Sequence, residues 1–408
     1  MNFLTEFPAI ADLQKWYEQN GAEKQPKVNG HIHTPFSFSA FESIFEAFEL
    51  AQEEGVKVLG INDFYVTDGY ESFHDQAVKN KVFPLFNIEF MALQKDLQAN
   101  GVRVNDPSNP GRTYFSGKGL TYPVQLNEEI AEKLAKLKVE SNLQTQQMVE
   151  KLDAHLNEVG VALEISFESI KNDLAEELVR ERHIAKAIRL AVFEKFGSDE
   201  ERKGAFQKIF GGKELKADVN KISAVENEIR GCLLKTGGAA FVPESDEAFY
   251  SLEAVKEIII SAGGIPCYPV LLDDANGNFT DFEGDWEAMQ KSLKEKGIGC
   301  VELIPSRNSL KIFNEFVQSF HDAGFVVLMG TEHNTPEMTP LTLDCRGEKL
   351  TDELEKTGYE GACVVAAHQY LIAKGQEGFV DAQGCAKMEE RETFVALGNA
   401  VIAYFFQS

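Results

Sequence analysis

The chain of 408 residues contains no cysteine pair at C-x-x-C spacing, no long apolar run and comparatively little positive charge. Its cysteines, Cys232, Cys267, Cys300, Cys345, Cys363 and Cys385, are scattered, which argues for reduced, mostly buried thiols and against a disulfide framework or a cysteine zinc site. No stretch reaches the apolar length that spans a bilayer, and the opening Met1-Asn2-Phe3-Leu4-Thr5-Glu6 lacks the basic-then-apolar profile of a signal peptide. The expectation is a cytoplasmic protein with no membrane contact. With 40 basic against 65 acidic residues, the formal charge is −25. Such a surface repels a phosphate backbone and counts against a nucleic-acid polymer as partner, but not against a small phosphorylated substrate in a locally polarised pocket. Histidine is scarce as well, at 8 residues.

Two of those histidines fall in one short stretch, Val28-Asn29-Gly30-His31-Ile32-His33-Thr34-Pro35-Phe36-Ser37. It reads as a buried strand running into a Thr/Pro/Ser loop, and residues i and i+2 of a strand share a face. His31 and His33 can therefore reach one divalent ion, since neutral imidazole is the commonest side-chain metal ligand. A pair of histidines at a strand edge needs no metal, so further ligands have to come from elsewhere.

The rest of the chain alternates strands and helices, the pattern of a parallel sheet or barrel. Phe41 to Glu54 has helical periodicity, with Phe41, Ile44, Phe45, Phe48 and Ala51 on one stripe. Strands follow at Val56 to Ile61, leading into Asn62-Asp63, and at Val82 to Ile88, ending in Glu89. Residues 92–121 read as loop, with a short strand over Val102-Arg103-Val104 and three cations, Arg103, Arg112 and Lys118. Residues 127–240 form long helical segments rich in Glu, Lys, Leu and Ala, with strand signal only over Val161 to Ile165, and read as a helical insertion. Within this block Arg180, Arg182 and His183 stand at a helix start, the end that favours anions, although a salt-bridged helix surface accounts for them equally well. Alternation resumes with strands at Ile265 to Leu272, Cys300 to Pro305 and Phe325 to Gly330, the last entering Thr331-Glu332-His333-Asn334. The tail is helical, and His368 reads as a hydrogen-bonded core histidine. The division expected is a barrel split between residues 1–126, including a helical lead, and 241–408, around an insertion at 127–240. Strand ends are where α/β barrels place their chemistry, so His31, His33, Asp63 and Glu89 are expected to converge.

This order of features resembles the polymerase and histidinol phosphatase (PHP) superfamily of metal-dependent phosphoesterases, in its nucleotide and oligoribonucleotide branch with a helical insertion. His31-Ile32-His33-Thr34 with Ser37 resembles the first motif, Gly60-Ile61-Asn62-Asp63 the second, and Glu89 stands at the bridging glutamate of the third. Arg182-His183-Ile184-Ala185 resembles the Arg-Pro-His-Ile-Ala segment of the insertion. Ser261-Ala262-Gly263-Gly264-Ile265-Pro266 resembles the entry to the fourth motif, and Gly330-Thr331-Glu332-His333-Asn334 the last. The fold implied is α/β, a PHP-type distorted (β/α) barrel with a mainly helical insertion domain.

The family holds two or three divalent ions on nine His, Asp and Glu side chains, and this chain departs at many of them. Ser37 or Phe38 replaces an acid, Phe64 a histidine, Tyr268 the imidazole of an Ala-His-Pro segment, and Arg103 stands for the histidine after Glu89. The resemblance leaves His31, His33, Glu89, Glu332 and Asn334 as metal ligands, for one or two ions of manganese, zinc or iron, and Arg103, Arg182 and His183 as phosphate contacts. Asp63, Tyr268 and His333 are the acid–base candidates. The expected function is a metal-dependent phosphoesterase on a small phosphate ester or nucleotide, with a reduced metal site. The alternative is an inactive barrel that binds a ligand or a regulatory partner. Homo-oligomerisation is compatible with either.

Overall fold

The computed structural model describes residues 2–21 and 25–407. Seven strands form one sheet in chain order: β1 (Lys27–Ile32), β2 (Val56–Phe64), β3 (Phe83–Leu93), β4 (Arg112–Lys118), β5 (Ile265–Val270), β6 (Cys300–Leu303) and β7 (Val326–Met329). Neighbours run parallel except at β4, which is antiparallel to both β3 and β5. Just beyond β7 the sheet closes on itself. The Thr331 and Glu332 N–H groups donate to the His31 carbonyl at 3.1 and 2.9 Å, and His33 N–H donates to the Glu332 carbonyl at 2.7 Å. A side chain at Gly330 would block this seam, because its Cβ would lie 2.4 Å from that of His31. The result is the distorted (β/α) barrel that the motif order implies.

The strand expected over Val102 to Val104 is absent, and β4 lies ten residues further on. Its sequence hides it. Arg112, Tyr114, Ser116 and Lys118 alternate with Thr113, Phe115 and Gly117, so the strand has a polar inner face and shows no apolar run. Glu89 is likewise not at a strand end but inside β3, which continues to Leu93.

Helices Ile44–Glu54, Tyr70–Asn80, Leu252–Ser261, Trp286–Glu295 and Leu310–Asp322 cover the outside, burying Leu59, Ile61, Ile88, Phe90, Val301, Leu303 and Val327 beneath them. Ser43 caps the first of these through the Glu46 N–H, and Phe45, expected on its buried stripe, is exposed. The long C-terminal helix Asp352–Ala373 packs across the ends where the strands begin, in a cluster with Val58, Leu85, Cys267, Cys300 and Leu328. Gln369 fixes it there, accepting from Phe86 N–H at 2.9 Å and donating to the Pro84 carbonyl at 3.1 Å. The opposite end of the barrel is thereby left for the site. Above that end lie the helices Glu128–Glu158, Phe167–Leu174, Glu181–Lys195, Asp199–Ile209 and Ile222–Ile229, packed around their own apolar cluster of Met148, Leu152, Ile184, Ile188, Phe206 and Ile229. Val161 to Ile165 is irregular chain, not a strand.

Candidate metal centre

Alternation along each strand decides what enters the barrel. The inward set is Asn29, His31 and His33 from the β1 line, Asn62 and Phe64 from β2, and Asn87, Glu89 and Met91 from β3. Tyr114, Ser116 and Lys118 enter from β4, Pro269 from β5, Glu302 from β6 and Glu332 beyond β7. The first halves of β2, β3, β5 and β6, with Leu328 of β7, supply the apolar packing against the helix Asp352–Ala373, and polar groups follow on β2, β3 and β6.

Three of those groups meet. His31 Nε2 lies 3.2 Å from His33 Nε2, and Glu89 Oε2 lies 3.1 Å from the second and 3.9 Å from the first. They form a buried set whose ligand atoms lie within 4.8 Å of one another. Their outer hydrogen bonds fix the tautomers. Ser37 Oγ–H donates to Asp63 Oδ1 at 2.5 Å, so Ser37 can only accept from His33 Nδ1, at 3.0 Å. Glu302 Oε2, a carboxylate oxygen, accepts from His31 Nδ1 at 2.9 Å. Both Nδ1 atoms thus carry the proton, and both Nε2 atoms present lone pairs to each other.

Glu89 Oε2 completes the argument, since it has no hydrogen-bond partner among the described residues. Burial pushes the Glu89 carboxyl up to about 8, with Glu332 and Glu302 adding and His31 opposing. Two imidazole Nε2 atoms and the Glu89 oxygen therefore converge on one buried point. That is the donor set of a divalent cation, and the imidazole N–H groups held by Glu302 and Ser37 are the outer contacts that orient histidine ligands. The Asn62 amide nitrogen lies 3.2 Å from His31 Nδ1 and 3.0 Å from Nε2, and with Nδ1 protonated it donates to Nε2, a contact that an ion at this point would displace.

Other residues singled out in the sequence take different positions. Asp63 lies on the outward parity of β2 and accepts from Thr34 N–H at 2.8 Å and Thr34 Oγ1–H at 2.5 Å as well as from Ser37, so it anchors the loop after β1 and orients His33 indirectly. Tyr268 also has outward parity, and its hydroxyl donates to Glu283 at 2.9 Å away from the site. Both nitrogens of His333 are engaged, by Thr331 Oγ1 at 2.7 Å and the Thr339 carbonyl at 2.8 Å, with the ring stacked on Phe41. Arg103 forms a bidentate pair with Asp281 at 2.9 and 3.0 Å on the surface. None of Tyr268, His333 and Arg103 lines the cavity over the centre, where acid–base and phosphate-contact roles were expected of them.

Glu332 does line that cavity but lies outside the three-residue set, ion-paired with Arg307. Burial would raise its carboxyl, yet Arg307, then His31, His33 and Arg182, hold it below the usual carboxylate range. Asn334 also faces the cavity. The residues that sequence reading passed over are Glu302, Ser116 and Arg307. Glu302 had a visible signal, a lone acid at inward parity in the otherwise apolar run Cys300 to Ile304.

The cavity measures about 1050 Å³ and is floored by His31, Phe64, Glu89 and Glu302 and roofed by the helical segment. Most charges around it are paired: Arg112 with Glu244, Arg230 and Lys235 with Glu181, and Arg307 with Glu332. Arg180 and Arg182 are the exceptions, with no carboxylate partner among the described residues. Arg180 lies 4.5 Å over the Phe64 ring, which also stacks on His33 and meets Tyr65 and Tyr114. Arg182 donates to Asn227 at 3.2 Å, and burial together with Arg230 pushes its guanidinium down to about 10. His183 does not line the cavity. Its Nδ1 accepts the Arg180 N–H at 2.9 Å and closes the helix start, while burial pushes the ring down to about 3.

No protein-family model matches the chain, and no curated protein matches it. Among solved structures, a candidate metal-dependent phosphoesterase from Bifidobacterium adolescentis superposes with a TM-score of 0.52 at 18% identity, over 82% of this chain and 96% of that one. An amidohydrolase from Chromobacterium violaceum, solved with bound sulfate and no metal, gives a TM-score of 0.46 at 15% identity, over 81% of this chain and 96% of that one. The first of these likenesses defines a class of fold alone, a distorted (β/α) barrel with a helical portion over its open end. Among the described residues no helix is long and apolar enough to cross a membrane.

Proposed function

We propose that the protein is a metal-dependent phosphoesterase acting on a small phosphate ester or nucleotide, with a reduced metal site held by His31, His33 and Glu89. The observation that carries this reading is the pair of Nε2 lone pairs turned toward each other beside the unpartnered Glu89 oxygen. A divalent ion bound there, of manganese, zinc or iron, supplies Lewis acidity to a phosphoryl oxygen. The chain's own groups do the rest. Glu302 and Ser37 hold the imidazoles in the ligating tautomer, and Arg182 and Arg180 face the cavity as cations free to accept a phosphate. Phe64, between Arg180 and His33, keeps water from the rear of that wall.

A second reading, a barrel that binds an anionic ligand without turning it over, is favoured by one observation. The acids nearest the triad are committed, Asp63 to three donors and Glu302 and Glu332 to cations, which leaves no free general base beside it.

Elemental analysis of the purified protein, after incubation with manganese or zinc, tests the metal. Stoichiometric metal that is lost in His31→Ala/His33→Ala supports a metal centre, and its absence removes the phosphoesterase mechanism. Hydrolysis of nucleotides and sugar phosphates then separates the two readings. Arg182→Ala is expected to raise KM by roughly 10–100-fold, the value of one charge-assisted hydrogen bond to phosphate. Binding without turnover across the panel supports the second reading.

A further inference from the structure

Lys118 is the one lysine buried without exposure among the described residues. It enters the barrel from β4, the inverted strand, and its ammonium donates to Glu302 Oε2 at 2.5 Å and Asn62 Oδ1 at 3.0 Å. The same Glu302 oxygen takes His31 Nδ1–H, and Glu302 Oε1 takes Ser116 Oγ–H at 2.5 Å. The donors on this carboxylate are Lys118 and Ser116 of β4 and His31, whose imidazole links Glu302 to the His31, His33 and Glu89 set.

The surroundings of Nζ are those of a cation site. A carboxylate oxygen and an amide oxygen, from β6 and β2, flank a histidine on the inner wall of the barrel, and hard divalent ions take such oxygens. Here a covalently tethered monovalent cation holds both. Burying an ammonium costs several kcal/mol unless it is paired, so Lys118 and Glu302 each require the other. The geometry points to a centre that takes a single divalent ion, with the Lys118 ammonium standing where a second ion would bind. Lys118 consumes the oxygens a second ion needs and repels it. Its ammonium also fixes the Glu302 oxygen that takes His31 Nδ1–H.

This rests on the metal-centre reading above, and metal stoichiometry separates the two. Equilibrium dialysis against millimolar manganese, read by elemental analysis, is expected to give one ion per chain for the full-length protein and two for Lys118→Ala, in which Glu302 and Asn62 are freed. Lys118→Met/Glu302→Gln, which removes both charges while keeping the packing, is expected to return to one. Two ions in the unmodified protein overturn the substitution of lysine for metal while leaving the metal centre standing. One ion in folded Lys118→Ala, or two in the double variant, overturns it as well. Zero in all three removes the metal centre itself and this inference with it. If Lys118→Ala does not fold, Lys118→Met, which keeps the packing and frees the same two oxygens, takes its place, with two ions expected and one ion overturning the substitution.

Discussion

Ser37 is the sharpest single test of the tautomer argument, because it touches the centre only through His33. Its Oγ accepts His33 Nδ1–H at 3.0 Å and donates to Asp63 at 2.5 Å. In Ser37→Ala the nearest remaining acceptor for His33 Nδ1 is Asp63 Oδ1 at 3.9 Å, too far for a hydrogen bond. Nothing then obliges Nδ1 to keep the proton, and the ring is free to turn its Nε2 lone pair away from Glu89. Loss of such an outer partner weakens metal binding by about 10–100-fold, or about 1.4–2.7 kcal/mol. The assay is competition for manganese or zinc against a chelating dye, with urea unfolding of the metal-free protein run alongside to isolate the structural cost of removing a donor from Asp63. Ser37→Thr, which retains the hydroxyl, is expected to stay close to the unmodified protein. Affinity in Ser37→Ala within about threefold of the unmodified protein, on a scale where tenfold is about 1.4 kcal/mol, would refute the reasoning, since His33 would then not be a ligand oriented through its second nitrogen.

Two further outcomes follow from groups outside the centre. His368 donates from Nε2 to the Gly263 carbonyl at 2.7 Å and accepts Phe379 N–H on Nδ1 at 2.9 Å, and burial pushes it from 6.5 down to about 4. The unfolded chain therefore takes up a proton that the folded chain refuses, so stability is full above 6.5 and is expected to fall by about 1.4 kcal/mol per pH unit as pH drops from 6.5 to 4. His368→Gln is expected to flatten part of this slope in urea unfolding at pH 7, 5.5 and 4.5, His183 contributing with the same sign; an unchanged slope would count against the assignment. Gly330→Ala places a Cβ 2.4 Å from that of His31. It is expected to cost about 1–3 kcal/mol by overpacking the seam and to weaken metal binding by moving His31, both measurable on one preparation.

Six of the seven barrel strands, the His-x-His pair and Glu89 were legible in the sequence because each rests on a local signal: a short apolar run, a period of two, or a lone acid beside one. Asp63 and Tyr268, expected in the site, lie off the lumen for a common reason. Motif order locates a strand end to within a residue or two, but a one-residue shift moves a side chain from the lumen to the outer face. In β2 the parity set by closure brings Asn62 and Phe64 inward and leaves Asp63 with the loop, and in β5 it brings in Pro269 and turns Tyr268 out. β4 was hidden because its inner face is polar, and with it went the placement of Lys118. Arg307 could not be read at all, since its partner Glu332 lies on another loop and only the folded barrel joins them.

Charge pairing around the cavity gives the site its polarity. In a chain of formal charge −25, nearly every cation near the cavity is tied to an acid. The exceptions are of opposite sign and in different places. On the floor it is Glu89, whose Oε2 has no donor among the described residues and whose carboxyl burial pushes up to about 8, so that it stays mostly neutral until a cation stands beside it. At the roof they are Arg180 and Arg182, which face the same cavity with no carboxylate ion pair among the described residues. A divalent cation alone would relieve the floor and leave the guanidinium groups uncompensated; an anion alone would do the reverse. Both are relieved together only by a cation below and an anion above it. The observation most favourable to a phosphate ester as ligand is therefore this pair of complementary deficits across one cavity, which neither the barrel nor the helical roof presents without the other.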